Sequence, residues 1–245
     1  MRTLIVVPTY LEAENIEEML DRVRAAVPDA DVVVVDDGSP DGTADLATAK
    51  GSELGQIEVI RRSAKGGLGA AYRVGFRWGL ERGYDVLVEI DADLSHDPDA
   101  LPTLLGTLDR GADLVIGSRY VPGGSVPGWP AHRRALSRWG NRYSGFVLGM
   151  GVRDATSGYR AYRRSALEGA HYDATSATGY AFQIELAYRI ARRGNSVVEI
   201  PIVFVDRTRG KSKMSPRIAV EAIGLVTWWA LRDRVLRRGS RASRL

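Results

Sequence analysis

Short apolar runs alternate with amphipathic stretches through the first half of the chain. Leu4–Val7 precedes an amphipathic segment over Ala13–Ala26, and Asp31–Val35 precedes a Ser-Pro-Asp-Gly turn and a helical stretch over Thr43–Ala49. Ile57–Ile60 leads through a glycine-rich turn into Gly69–Arg82, Val86–Ile90 into Leu101–Arg110, and Leu114–Ile116 follows. Asp97-Pro98 reads as the cap and first turn of the fourth helix. Runs of four or five apolar residues without alternation suit strands buried on both faces. Their regular exchange with helical patterns predicts a mostly parallel sheet flanked by helices. The second half is less regular. A Pro/Gly loop spans residues 121–130, and a helix carrying Arg133, Arg134, Arg138 and Arg142 follows. Then come the stretch DATSGYRAYRRSAL, a helix around Tyr180–Arg193, a strand over Val197–Ile200, and a closing amphipathic helix from about Pro216 to Arg237.

In a sheet of this kind ligands bind at the carboxyl ends of the strands. The polar residues fall there. Pro8-Thr9-Tyr10-Leu11-Glu12 follows the first run, Asp36-Asp37-Gly38-Ser39 the second, Asp91-Ala92-Asp93 the fourth and Gly117-Ser118-Arg119-Tyr120 the fifth. This edge is the predicted site.

The chain has 245 residues, 44% hydrophobic and 26% charged, enough for one large α/β domain. It holds no cysteine, so neither disulfides nor thiolate metal sites are available. The N-terminus opens on a strand without the apolar region of a signal peptide. The longest uncharged apolar run near the C-terminus, Ala222 to Leu231, is too short for a bilayer core that needs about 20 residues. Six arginines and one aspartate over residues 232–245 give a local +5 and leave the preceding 231 residues at −1. With tryptophans just before it and no nucleic-acid motif beside it, this tail points to an anionic membrane surface.

Asp91 and Asp93 share one face of a strand end, where two like charges need a compensating partner. A divalent cation on a nucleotide diphosphate supplies it, and ligands made only of oxygen suit Mg²⁺ or Mn²⁺. KGGLGAA, residues 65–71, reads either as a phosphate-cradling loop or as a plain structural turn. No glycine motif follows the first strand and no Gly-Lys-Ser/Thr follows the later one, which excludes dinucleotide and Walker readings. His96, His132 and His171 are too scattered for a metal site and are assigned to the surface or to a supporting layer. No serine has a nucleophile-elbow context. Arg119, Arg133, Arg134, Arg207, Lys211 and Lys213 form a cationic set suited to phosphate.

The ordered series VVPTYLEAENI, VVVVDDGSPDGT, KGGLGAAYRVGF, EIDADLSHDP, DLVIGSRYV, RRALSRWGN, DATSGYRAYRR and FVDRTRGKSKM resembles glycosyltransferase family 2, and within it the polyprenol-phosphate (dolichol-phosphate) mannose synthases. The resemblance runs to about Met214. It implies a GT-A domain over residues 1–214, with residues 215–245 as a C-terminal helix and basic tail. It further implies transfer of mannose from GDP-mannose to a polyprenyl monophosphate. Pro8, Tyr10, Glu12, Asp36, Asp37 and Ala92 would line the nucleotide-sugar site, with Arg207 and Lys213 closing over the donor. Asp91 and Asp93 would hold the metal, and Arg119, Arg133 and Ser137 the acceptor phosphate. Catalysis would rest on Asp91, Asp93 and Arg119, at the inner, cytoplasmic face of a membrane, with a separate integral membrane partner as a plausible companion. A UDP-sugar or glucosyl transfer, and a non-catalytic nucleotide-sugar-binding protein, are the competing readings. Two departures from the family pattern stand out. Leu11 occupies a position often held by Asn, which loosens that loop. Ser95 occupies one where Gln can complete the metal shell; it is the third candidate metal residue beside Asp91 and Asp93, with a shorter side chain that can leave the ligand role to water. Ser95→Ala is then expected to leave the metal dose–response of the activity nearly unchanged.

Overall fold

The computed structural model describes residues 1–175, 177, 179–207 and 222–232, with Tyr180 described in its backbone alone. The elements run β1 (Thr3–Thr9), α1 (Ile16–Ala26), β2 (Asp31–Asp36), α2 (Thr43–Leu54), β3 (Ile57–Arg61), α3 (Leu68–Glu81) and β4 (Val86–Glu89). They continue through a 3-10 turn at Pro98–Ala100, α4 (Leu101–Asp109), β5 (Leu114–Ser118), α5 (Ala131–Leu148), β6 (Arg160–Arg163) and α6 (Arg164–Gly169). A 3-10 turn at Tyr172–Ala174, α7 (Gly179–Arg192), β7 (Val197–Pro201) and a helix at 222–232 complete the described chain. Asp97 caps the first 3-10 turn, its side chain accepting from the Asp99 amide, with Pro98 in the first position.

Seven strands form one sheet in the order β3-β2-β1-β4-β6-β5-β7. All pairs are parallel except those of β6, which runs antiparallel to both β4 and β5. The expected mostly parallel α/β architecture is therefore present, with one reversed strand inserted. The apolar runs are buried on both faces, as their lack of alternation required. Leu4, Val6, Val33 and Val35 join the layer beneath α3 and α7, while Ile5, Val7, Val32 and Val34 join the layer beneath α1 and α4. Gly75 and Gly79 bring α3 close to β1. A Cβ at Gly75 would lie 2.3 Å from Val6 Cγ1, and one at Gly79 2.6 Å from Leu4 Cδ2.

The order of the strands places the site. The chain leaves β1 toward β2 on one side and leaves β4 toward β5 on the other, so the two connections diverge and open a crevice at the carboxyl ends of β1 and β4. Helix 222–232 packs back on the domain, with Ala222, Val226 and Trp229 in the α3/α7 layer. Those three residues are therefore covered by the domain. The turn of the helix instead exposes Ile223, Trp228 and Leu231. Ile218, Lys211 and Lys213 lie outside the described residues.

Leu11 sits at φ +57°, in the left-handed region. Its loop is held by the Leu11 amide on Ser39 Oγ, the Glu12 amide on Thr43 Oγ1 and the Ala13 amide on Asp41 Oδ2. The departure from Asn thus brings strain into a pinned turn, where the sequence suggested looseness. Asn tolerates this conformation better than Leu, and Leu11 is half exposed, so little packing is lost on replacing it. Leu11→Asn should stabilise the protein by about 1 kcal/mol in a denaturant titration.

Candidate active site

β4 ends at Glu89, and the chain then delivers Asp91 and Asp93 to the crevice. Asp91 Oδ1 accepts the Tyr72 hydroxyl at 3.2 Å, and its Oδ2 lies 3.7 Å from His96 Nδ1. Asp93 Oδ1 accepts the Ser95 amide at 3.0 Å, which leaves the Ser95 side chain no share in that bond. Asp93 Oδ2 pairs with Arg207 at 2.7 Å. Just after Asp93, Leu94 takes a left-handed φ of +59°, a conformation unfavourable for Leu that recurs where a local geometry is imposed by function. Burial first, and then repulsion from Asp93, push the Asp91 carboxyl well above the usual carboxylate range; Glu12 adds a smaller push. Burial pushes His96 down to about 4, so its ring is neutral.

In the loops after β1 and β2 the carboxylates are engaged by groups of the protein itself. Asp37 accepts the Gly66 and Gly67 amides at 2.8 and 3.0 Å and pairs with Arg62. The glycine loop therefore directs those amides at a carboxylate of the protein, which favours the structural reading of KGGLGAA over the phosphate cradle. Asp36 is buried, its oxygens accepting from Thr9 Oγ1 and from the amide and hydroxyl of Ser39. It fixes the β1 and β2 loops to each other. Glu12 is buried and accepts from Asn15 Nδ2 at 2.9 Å. Tyr10 presents its ring beneath Lys65 Nζ, 4.2 Å from the centroid. Pro8 lies opposite Val35 in the β1–β2 register, and Ala92 is buried between the two aspartates.

On the other side of Asp91 and Asp93 opens a cavity of about 350 Å³. Arg119, Arg133, Ser137 and Arg207 are among its polar lining; Leu136, Trp139, Ile184, Ala222 and Ile223 are among its apolar lining. Arg119 is buried and gripped by Asp154, which accepts from its amide at 3.0 Å, its Nε at 2.7 Å and its Nη2 at 2.7 Å. Burial opposes ionisation of Asp154, but Arg119 outweighs it and holds the carboxyl below its ordinary value. Asp154 thus serves as the fixed partner of a basic side chain. Arg133 pairs with Asp206 at 2.8 Å and lies 3.9 Å above the Trp129 ring. Ser137 Oγ accepts the Tyr120 hydroxyl at 2.6 Å.

The loop before β6 is bolted from three directions. Glu199 accepts the Arg153 and Asp154 amides, Asn141 exchanges hydrogen bonds with Thr156, and Arg160 donates to the carbonyls of Ala155, Ser157 and Gln183. Tyr72, Asn141 and Glu199 escape a sequence reading because each lies at least 15 residues from the group it serves, and the contact of Arg160 with the Gln183 carbonyl spans 23 residues. His96 carried a usable signal, three residues past Asp93 in the same loop.

Among the described residues no three His, Cys, Asp or Glu side chains gather as a complete cation site. Two carboxylates with oxygens turned to a cavity fit a hard divalent ion that takes its remaining ligands from phosphate and water.

A family model described as Glycosyl transferase family 2 matches residues 4–169. An undecaprenyl-phosphate mannosyltransferase from Micrococcus luteus is 52% identical over 234 residues, covering 96% of this chain and 96% of the relative. The chain belongs to glycosyltransferase family 2. A polyprenol monophosphomannose synthase from Mycolicibacterium smegmatis is also 52% identical, over 235 residues, covering 96% of this chain and 89% of the relative. In fold the chain resembles a mannosyltransferase from Pyrobaculum calidifontis solved with GDP-Man and Mn²⁺, at a TM-score of 0.59 and 20% identity. That match covers 99% of this chain and 75% of the other. Family membership agrees with the crevice and its carboxylates, both assembled from the motifs that the family resemblance named.

Proposed function

We propose that this protein transfers mannose from GDP-mannose to a polyprenyl monophosphate, with inversion at the anomeric carbon, giving polyprenyl-phosphate mannose and GDP. The observation that carries this is the joining of Asp91 and Asp93 to a single cavity with Arg119 and Arg133, a cavity also lined by the apolar side chains of Leu136, Trp139, Ile184 and Ile223. One end suits a diphosphate and a phosphate, the other a hydrocarbon chain. Relatives named for mannosyl transfer to undecaprenyl phosphate and for polyprenol monophosphomannose synthesis support the same substrates.

Asp91 and Asp93 are the residues that would hold Mg²⁺ or Mn²⁺. An ion bound there would supply positive charge to the donor diphosphate and to the leaving GDP. Tyr10, Glu12 and Asp37 surround the nucleoside, and Arg207, already on Asp93, closes the donor side. Arg119, Arg133 and Ser137 orient the acceptor. A phosphate monoester has a second pKa near 6 and is mostly dianionic at neutral pH, so its oxygen attacks C1 without a general base. The new C1–O bond forms as the C1–O bond to GDP breaks, and no proton moves. The protein's task is to hold two anions in line against their repulsion, which a rigid arginine achieves without reorganisation. Asp154 acts in this scheme by fixing Arg119.

Titration calorimetry with Mn²⁺ tests the donor. GDP is expected to bind at least about tenfold more tightly than UDP, a preference of about 1.4 kcal/mol. Tighter binding of UDP would move the donor to a UDP-sugar.

The acceptor's tail places the enzyme at a membrane surface. Among the described residues no helix is long and apolar enough to cross a membrane. Leu136, Trp139 and Phe146 on α5 are exposed, Phe146 to 87%, and so are Trp228 and Leu231 on helix 222–232. Arg134, Arg138 and Arg142 share α5 with them. Apolar side chains among arginines suit an anionic headgroup layer, at a cytoplasmic face where such lipids concentrate. A Phe146→Ser/Trp228→Ser double variant should lose most of its co-sedimentation with anionic vesicles and keep its affinity for GDP. Unchanged sedimentation would remove this surface from the account.

A further inference from the structure

His96 is built into the site in a way that its packing alone does not explain. Its ring lies between Tyr159 and Phe204, each centroid 5.2 Å away, and its backbone bridges to Phe204. The side chain is buried, and Nδ1 has no hydrogen-bond partner. A buried polar nitrogen left unpaired is unfavourable, and a phenyl ring would fill the same slot between two aromatic rings without that cost. The atom closest in charge to that nitrogen is Asp91 Oδ2, 3.7 Å away. Asp91 Oδ1 already accepts the Tyr72 hydroxyl at 3.2 Å. One oxygen of this carboxylate therefore holds a donor from α3, and the other faces Nδ1 of a ring in the loop after Asp93.

We infer that His96 is a positioning residue for Asp91, its Nδ1–H donating to Oδ2 while Tyr72 donates to Oδ1, so that the carboxylate turns its remaining lone pairs to the divalent cation. This inference rests on the metal reading of Asp91 and Asp93 given above. The gap closes from 3.7 Å to a hydrogen bond of about 3 Å through a small rotation of the carboxylate. A carboxylate oxygen has two lone pairs, so accepting from His96 leaves one for the metal. Groups that orient a metal ligand in this way commonly change metal affinity about 10- to 100-fold when removed. The nearby carboxylate of Asp93 does not need this help, because the Ser95 amide and Arg207 fix it.

The test measures Mn²⁺ binding by electron paramagnetic resonance on the full chain with GDP in excess, in wild type, His96→Phe, His96→Asn and Asp93→Ala. His96→Phe keeps the aromatic packing and is expected to weaken Mn²⁺ binding about tenfold or more, without lowering the melting temperature. His96→Asn, which offers an amide nitrogen near the position of Nδ1, is expected to restore much of the affinity. Wild-type Mn²⁺ affinity in His96→Phe would overturn the inference while leaving the metal site intact. Equal Mn²⁺ binding in wild type and Asp93→Ala would overturn the metal reading itself, and this inference with it. A second readout does not depend on any variant folding. In wild type labelled with ¹⁵N-histidine and loaded with Mg²⁺ and GDP, the ring should carry its proton on Nδ1, and a bare Nδ1 would contradict the assignment.

Discussion

Asp93→Ala is expected to lower mannosyl transfer about 10³-fold or more, the scale of losing a preorganised charge or a metal from a transferase site. The loss should fall on the chemical step and on metal binding, with a smaller effect on the fold. Asp93 does two jobs in the structure, accepting the Ser95 amide and pairing with Arg207, so its removal also releases the arginine that closes the donor side. Steady-state rates over a Mn²⁺ series check this. A variant that regains near wild-type rate at high Mn²⁺ would show that Asp93 serves affinity alone. One within tenfold of wild type at every concentration would place the metal elsewhere.

Asp154→Ala is the second large effect, and it falls on stability. Removing one partner of a buried ion pair leaves the other charge without compensation, at about 3–5 kcal/mol. Arg119 is buried and gives Asp154 three hydrogen bonds, and in the variant its guanidinium would face a void. Because Asp154 titrates below its ordinary value of 3.8 in the folded protein, its contribution is present above about pH 4 and is lost as the pH falls through the folded value. Denaturant unfolding should therefore show wild type and Asp154→Asn far apart at pH 7 and converging in acid below pH 4. A folded Asp154→Asn with normal GDP affinity and a lost chemical step would instead make Asp154 a reacting group.

How much of this was legible in the chain depends on the distance over which each feature is encoded. The strands of the first half were readable because unbroken runs such as Val32–Val35 have no other stable place than a doubly covered sheet. The carboxyl-end site followed from topology, since loops after parallel strands gather on one edge. β6 was not readable as a strand: Arg-Ala-Tyr-Arg carries no apolar run, and only the buried guanidinium of Arg160, satisfied by three carbonyls, makes its position possible. The fate of the glycine loop was equally hidden, because the Gly66 and Gly67 amides end on Asp37, nearly thirty residues earlier in the chain. The arginines of α5 were visible, but not the pairing of Arg133 with Asp206, some seventy residues away. On helix 222–232 the apolar residues were plain to see. Which of them the domain would cover was not, because this depends on the tertiary position of the helix.

The central claim is that the cavity joins a metal-bound sugar diphosphate to a lipid phosphate. The most direct measurement is transfer of label from GDP-[¹⁴C]mannose into the organic phase, with polyprenyl phosphate and Mn²⁺, run beside Asp93→Ala. The account predicts an extractable product that requires the acceptor, the metal and Asp93 together. Label that stays in the aqueous phase, while GDP binding remains intact, would contradict it.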